Sequence, residues 1–234
     1  MNLLTIPVVF FALFTQSIAG FGSGLIAMPL LIGLIGLETA TPTFALLAQT
    51  SGLLLILRFR QEMNFAVVWR LLLMSVIAVP IGVWFSGVVN EHLAKFILGA
   101  VTVGYAIYTL LGLSVPRLKQ RWAFSFGFLS GLLGGGYNMG GPPLVIYGTS
   151  QRWKPGEFRS NISSVFFPTG FVTISSHFLH GNITPKVLQY YGMLLPVLLA
   201  AMFLGFYLDR YIKPEPFRRG VLVLLIILGT SLIL

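Results

Sequence analysis

The sequence predicts an all-α integral membrane protein of two inverted repeats, each a glycine-rich re-entrant hairpin followed by three transmembrane helices. Three observations carry this reading. The first is composition: of 234 residues, 56% are hydrophobic and 9% charged, whereas a soluble domain carries about 25% charged residues. Apolar stretches recur along the chain, each long enough to cross a hydrocarbon layer of about 30 Å. The second is an internal repeat, and the third is the uneven placement of basic residues.

An offset of 114 residues pairs Phe10 with Phe124, Phe14 with Phe128, Gly20 with Gly134, Gly22 with Gly136, Pro29-Leu30 with Pro143-Leu144, Ile32 with Ile146 and Phe44 with Phe158. These are eight identities over 35 ungapped positions. The shared glycines and proline weigh most, because they mark backbone geometry and not merely apolar character. After a nine-residue shift the match resumes, pairing Leu71-Leu72 with Leu194-Leu195, Ala78 with Ala201 and Gly82 with Gly205. The repeats are residues 1–114 and 120–234, joined by the link 115–119 within a basic stretch that holds Arg117, Lys119 and Arg121.

In the first repeat, arms at 3–18 and 25–37 flank the break Gly20-Phe-Gly-Ser-Gly24, and helices follow at 41–58, 66–86 and 93–113. In the second, arms at 122–133 and 143–149 flank Gly134-Gly-Gly-Tyr-Asn-Met-Gly-Gly-Pro-Pro143, and helices follow at 158–178, 187–207 and 217–234. Glycine runs with Pro-Pro do not continue a helix. Arms this short fall below the roughly 17–25 residues that a helix needs to span.

Charge distinguishes the topologies. If each broken segment crossed once, the basic residues would divide 7 against 8 between the two sides. If each returns to the side it entered, 13 of the 15 share one side, and Lys95 and Lys186 lie opposite. The positive-inside rule favours the second arrangement, with the 13 cytoplasmic and both termini outside. Three true crossings per repeat then make the second repeat an inverted copy of the first. Inverted repeats with interrupted helices near the midplane are characteristic of secondary transporters.

Irregular backbone at membrane depth is tolerated only when buried in protein or lining a watery cavity. The two breaks therefore mark a binding site, and their N–H groups and helix N-termini suit an anion. The candidate residues are Gly22, Ser23 and Gly24 in the first break and Gly136, Tyr137, Asn138, Gly140 and Gly141 in the second. The following helices add Gln49, Thr50 and Ser51, and Arg159, Asn161 and Ser163, with Gln49 equivalent to Ser163 at the 114 offset. Two alternatives stay open: the glycines serve close helix packing, and Arg159 is either an oxyanion ligand or an anchor at the helix end.

The six acidic residues fall at helix ends or in loops, so a carboxylate proton relay at mid-membrane has no candidate. With no Cys and no His/Asp/Glu cluster, neither a metal site, a cofactor nor a hydrolytic constellation is expected. The net charge of +9 lies in loops without a stacking surface, so nucleic acid is not an expected partner. The expected partners are a small anion and the lipid bilayer. A coupling ion, H+ or Na+, is left open, and apolar outer faces are compatible with a homodimer.

At the hairpins the chain resembles the sulfite exporter TauE/SafE family. The residues that carry the resemblance are Gly20-Phe-Gly-Ser-Gly-Leu-Ile-Ala-Met-Pro-Leu30, Ser130-Gly-Leu-Leu-Gly-Gly-Gly-Tyr-Asn-Met-Gly-Gly-Pro-Pro-Leu-Val-Ile-Tyr147, and Phe158-Arg159. The first motif lacks an uninterrupted glycine triplet. The resemblance implies a multi-pass protein of a bacterial-type inner membrane that exports sulfite, sulfoacetate or a related organosulfur anion. A passive anion channel and a non-transporting scaffold are the other readings of the sequence.

Overall fold

A computed structural model describes residues 2–59, 63–113, 116–211 and 214–233. Among these residues the chain forms ten helices and no strand: α1 Thr5–Ala19, α2 Ser23–Ile35, α3 Leu37–Phe59, α4 Phe65–Val88, α5 Glu91–Leu110, α6 Trp122–Tyr137, α7 Gly141–Ser150, α8 Pro155–Leu179, α9 Pro185–Leu208 and α10 Pro214–Ile233. Five of them (α3, α4, α5, α8 and α9) are long and apolar enough to cross a membrane. Helices α1, α2, α6 and α7 have 15, 13, 16 and 10 residues and are the short arms expected from the sequence.

Each short pair folds back on itself. Helix α1 stops at Gly20 (φ 84°), whose N–H donates to the Gln16 carbonyl at 2.7 Å, and α2 starts after Gly22 (φ 96°). Two left-handed residues so close together reverse the chain, a conformation open to glycine at little cost. Helix α6 ends on Asn138 (φ 56°), with the Asn138 and Met139 N–H groups closing onto the Gly134 and Leu133 carbonyls. Pro142 and Pro143 then sit in the first turn of α7, where missing N–H groups break no helical bond.

The outer ends of each pair meet. Asn2 Nδ2, before α1, donates to the Leu34 carbonyl near the end of α2 at 3.4 Å. Gln151 Nε2, after α7, donates to the Leu118 carbonyl before α6 at 2.9 Å. The Asn2 N–H also donates to the Tyr190 hydroxyl near the start of α9, at 3.0 Å. The Phe124 ring of α6 packs edge-to-face on Trp69 near the start of α4, at 6.0 Å.

Packing partners are exchanged between the halves. Helix α1 packs on α9 and α6 on α4, α3 lies against both α8 and α9, α4 also packs on α8, and α5 packs on α10. Small residues allow the closest approaches. A Cβ added at Gly127, Gly131 or Gly135 of α6 would run into the backbone of Leu71, Ser75 or Val79 of α4. Gly99 and Gly229 make the same kind of contact where α5 crosses α10. With lipid as solvent, such close packing is a main source of helix association. Large apolar side chains such as Trp84, Phe203 and Ile227 remain on the outer surface.

The second break is shorter than its glycine content suggests. It spans 138–140, while Gly134, Gly135 and Gly136 continue α6. The reason is tertiary: Gly135 and Gly136 lie in the α4 crossing, against Val79 and Gly82, where backbone contact offsets their low helix propensity, and Gly134 faces Gly140. Gly131→Val would drive a side chain into the Ser75 backbone and Ala78. It is expected to cost on the order of 1–3 kcal/mol. The check is thermal denaturation of the detergent-solubilised protein, with Gly104→Val, which meets open space, expected to melt like the wild type.

Candidate functional site

The two breaks touch. Gly24, in the first turn of α2, lies against the Asn138 carbonyl so closely that any side chain there would overlap it. A Cβ on Gly141 would lie 3.5 Å from the Phe21 ring. Two hydrogen bonds hold the second break in place: Asn138 Nδ2 donates to the Thr41 carbonyl of α3 at 2.9 Å, and Ser130 Oγ donates to the Gly140 carbonyl at 2.8 Å.

A cavity of about 90 Å³ opens beside this junction. Ser23 and Gly24 line it from α2, and Asn138, Gly140 and Gly141 from the second break and the start of α7. Gln49 of α3 and Ser163, Thr169 and Thr173 of α8 complete much of its polar wall. Its size suits a few waters or one small polyatomic ion. None of the described lining residues is charged.

The electrostatics nonetheless favour negative charge. Neither α2 nor α7 has a side-chain N-cap, so both N-termini reach the cavity without an internal anion to balance their partial positive charge. In α7 the prolines withdraw two N–H groups, which leaves the donors of that turn to glycine. The Gln49 carboxamide (both Oε1 and Nε2) and Ser163 Oγ are buried without a hydrogen-bond partner. Each such group costs about 1–3 kcal/mol when left unsatisfied. A bound polar ligand removes that cost, and both residues line the cavity.

The cavity brings together Gly22, Ser23, Gly24, Gln49, Asn138, Gly140, Gly141 and Ser163 from the expected set. The others lie elsewhere. Thr50 shares a 2.9 Å hydrogen bond with Tyr191, and Ser51 donates to Gln16 Oε1 at 3.3 Å. Gly136 faces Gly82 of α4, and Tyr137 is buried with its hydroxyl unpartnered. Asn161 Oδ1 accepts the Asn64 N–H ahead of α4 at 3.1 Å. Arg159 lines a separate cavity of about 370 Å³ and is ion-paired with Asp209 at 3.1 Å.

Sequence reasoning missed Gln16, Ser75, Ser130, Thr169 and Thr173 as lining residues. Gln16 had a readable signal, since it is the one amide in the first arm, four residues before the first glycine. The hydroxyl groups had none, because Ser and Thr are common in helices: Ser75 and Ser130 donate across to the Gly127 and Gly140 carbonyls, whereas many others satisfy themselves on the preceding turn. Thr169 and Thr173 do so on Val165 and Thr169. Among the described residues no group of three His, Cys, Asp or Glu side chains comes together to hold a metal.

Comparison with known proteins adds an independent line. The family described as "Sulfite exporter TauE/SafE" matches residues 5–232. The chain is 27% identical to "Probable sulfite/organosulfonate exporter TauE" of Cupriavidus necator, over 94% of this chain and 88% of that protein. It is 26% identical to "Probable inner membrane transporter protein TsaS" of Comamonas testosteroni, over 75% of this chain and 74% of that one. No solved structure matches.

Gln49→Leu separates binding from folding. It deletes a buried carboxamide that has no partner, so the melting temperature is expected to hold or rise. Binding of a small oxyanion, followed by thermal shift with sulfate as probe, is expected to weaken about ten-fold or more, the worth of a hydrogen bond to a charged group. Unchanged sulfate affinity would remove Gln49 from the site.

Proposed function

Because the chain belongs to the sulfite exporter TauE/SafE family, we propose that it is a secondary transporter exporting a small sulfur oxyanion or organosulfonate, such as sulfite or sulfoacetate. The family and the relatives' descriptions as exporter and inner membrane transporter support the transport class. The observation that carries the substrate class is the cavity at the junction of the two breaks. Uncapped helix N-termini converge there with the unpartnered Gln49 and Ser163, and none of the described lining side chains has a charge of its own.

Alternating access is supported by the side on which each hairpin has its outer ends. The first has its outer ends beside the start of α9, the second beside the start of α4. Since α4 and α9 are equivalent members of the two repeats, this supports repeats of inverted topology, 1–114 and 120–234, related by a pseudo-two-fold through the junction. The exchange of packing partners supports the same relation. On this reading the basic residues on the side of Arg58, Lys119 and Lys154 are cytoplasmic, both termini are outside, and the site is exposed to each side in turn. A proton or sodium gradient, or the anion's own gradient, supplies the driving force.

Two experiments test the proposal. In proteoliposomes, sulfite or sulfoacetate uptake is expected to saturate and to be stimulated by the same anion inside. Linear flux without stimulation would make the protein a channel, and no flux across a panel of anions would leave only a scaffold role. The chain contains no Cys, so single Cys can replace the exposed Lys119, Lys154 and Lys186. The first two are expected to label from the cytoplasm and the third from outside. Labelling of Lys119 and Lys154 positions from opposite sides would overturn the inverted arrangement.

A further inference from the structure

The larger cavity adjoins the inner one. It shares Phe21, Gly22 and Leu25 with the inner one, so a single wall divides the two spaces. The Phe21 ring is held edge-to-face on Tyr105 at 6.4 Å and on Phe158 at 5.8 Å. With about 370 Å³ against about 90 Å³, the outer space admits an oxyanion together with part of its hydration. It is a vestibule.

Among the described residues, the charges lining the vestibule are Arg159 and Asp209. Their side chains are 22% and 20% exposed. Arg159 Nη1 donates to Asp209 Oδ2 at 3.1 Å and Nη2 to Oδ1 at 3.4 Å. Charge-assisted bonds settle near 2.7–2.9 Å, to take a rough range, so this fork is a loose one. Asp209 also occupies the C-cap of α9, where a carboxylate faces the negative end of the helix dipole and is disfavoured. Its place there is explained by Arg159 and not by α9. Arg159, in contrast, is fixed independently of the pair. Its Cγ lies 2.9 Å from where a Gly20 Cβ would be, and its guanidinium sits over the Phe59 ring at 5.4 Å.

From this asymmetry we propose that the vestibule is a second anion site worked by exchange. An entering oxyanion replaces the Asp209 carboxylate on Arg159 before it passes Phe21 into the inner cavity. The proposal rests on the anion-transport reading. Asp209 is the stand-in anion of the empty protein: it keeps the half-buried guanidinium neutralised, which an unpaired charge at that depth requires, and it competes with the incoming ligand. Arg159 stays in place because Gly20 and Phe59 hold its stem and head. The ligand class is a small anion with a planar or tripodal oxygen face that can accept two guanidinium N–H bonds, such as a sulfite, sulfonate or carboxylate.

Trp153 lines the vestibule and reports its occupancy. In a background with Trp69, Trp84 and Trp122 changed to Phe, sodium sulfite is titrated against Trp153 fluorescence. Asp209→Asn is expected to lower the half-saturating concentration roughly three- to ten-fold, the scale on which a partly exposed ion pair competes. Arg159→Gln is expected to raise it at least as much, and the double variant to behave as Arg159→Gln. A purely structural pair gives another pattern: both single variants weaken binding and melt earlier, and the charge-swapped Arg159→Asp/Asp209→Arg restores them. That pattern, equal half-points in all variants, or no Trp153 response in the wild type would each overturn the exchange site. If Arg159→Gln does not fold, Arg159→Lys replaces it, with a half-point expected above the wild type because one point charge replaces a fork. Sulfite counterflow by the wild type is measured separately, and its absence would overturn the transport reading whatever the fluorescence does.

Discussion

Backbone that leaves the helix at membrane depth must find hydrogen-bond partners inside the protein, because lipid offers none. This constraint explains more of the structure than any single contact. The carbonyl of Gly140 takes the Ser130 hydroxyl, that of Thr41 takes the Asn138 amide, and the Gly20 N–H closes onto Gln16. What the breaks leave open faces a small polar cavity. Residues 20–22 and 138–140 are each buried or half-buried beneath the surrounding helices.

The scaffold that meets this constraint relies on close approach more than on apolar burial. Between helices already in hydrocarbon, burying another leucine contributes little, so backbone proximity through small residues carries the association. The Gly127, Gly131 and Gly135 stripe of α6 and the Gly99–Gly229 crossing are the two clearest cases. The polar interior is consequently sparse and local. Most hydroxyls satisfy themselves on the preceding turn, and the unpartnered ones, such as Ser163 together with the Gln49 amide, are informative because they are few.

Much of this was legible in the sequence. Composition fixed the membrane setting, and the glycine and proline pairs at the 114 offset located both breaks. The helix limits agree to within a few residues, since Pro155, Pro185 and Gly20 punctuate the chain plainly. Two things were not legible. The run Gly134–Gly136 reads as a helix breaker, yet it remains helical because Gly135 and Gly136 pack on α4, a partner distant in sequence. Nor does a side chain's neighbour follow from its position: Thr50 and Ser51 adjoin Gln49, but the helix turns them toward Tyr191 and Gln16. Asp209 stands at a helix end and looked like an ordinary interfacial acid. Only the fold sets it opposite Arg159.

The exchange of partners between halves also bears on how the chain is made. Helix α1 packs on α9, whose first residue is Pro185, while α6 finds α4 already present. During synthesis, which proceeds from the N-terminus, the first hairpin therefore enters the bilayer long before the helix that covers it exists. The turn at Gly20 lies against Arg159 of α8, which is also made later. The second hairpin follows its main partner, α4, in the chain. Two equivalent elements thus meet their main partner helices at different stages of synthesis.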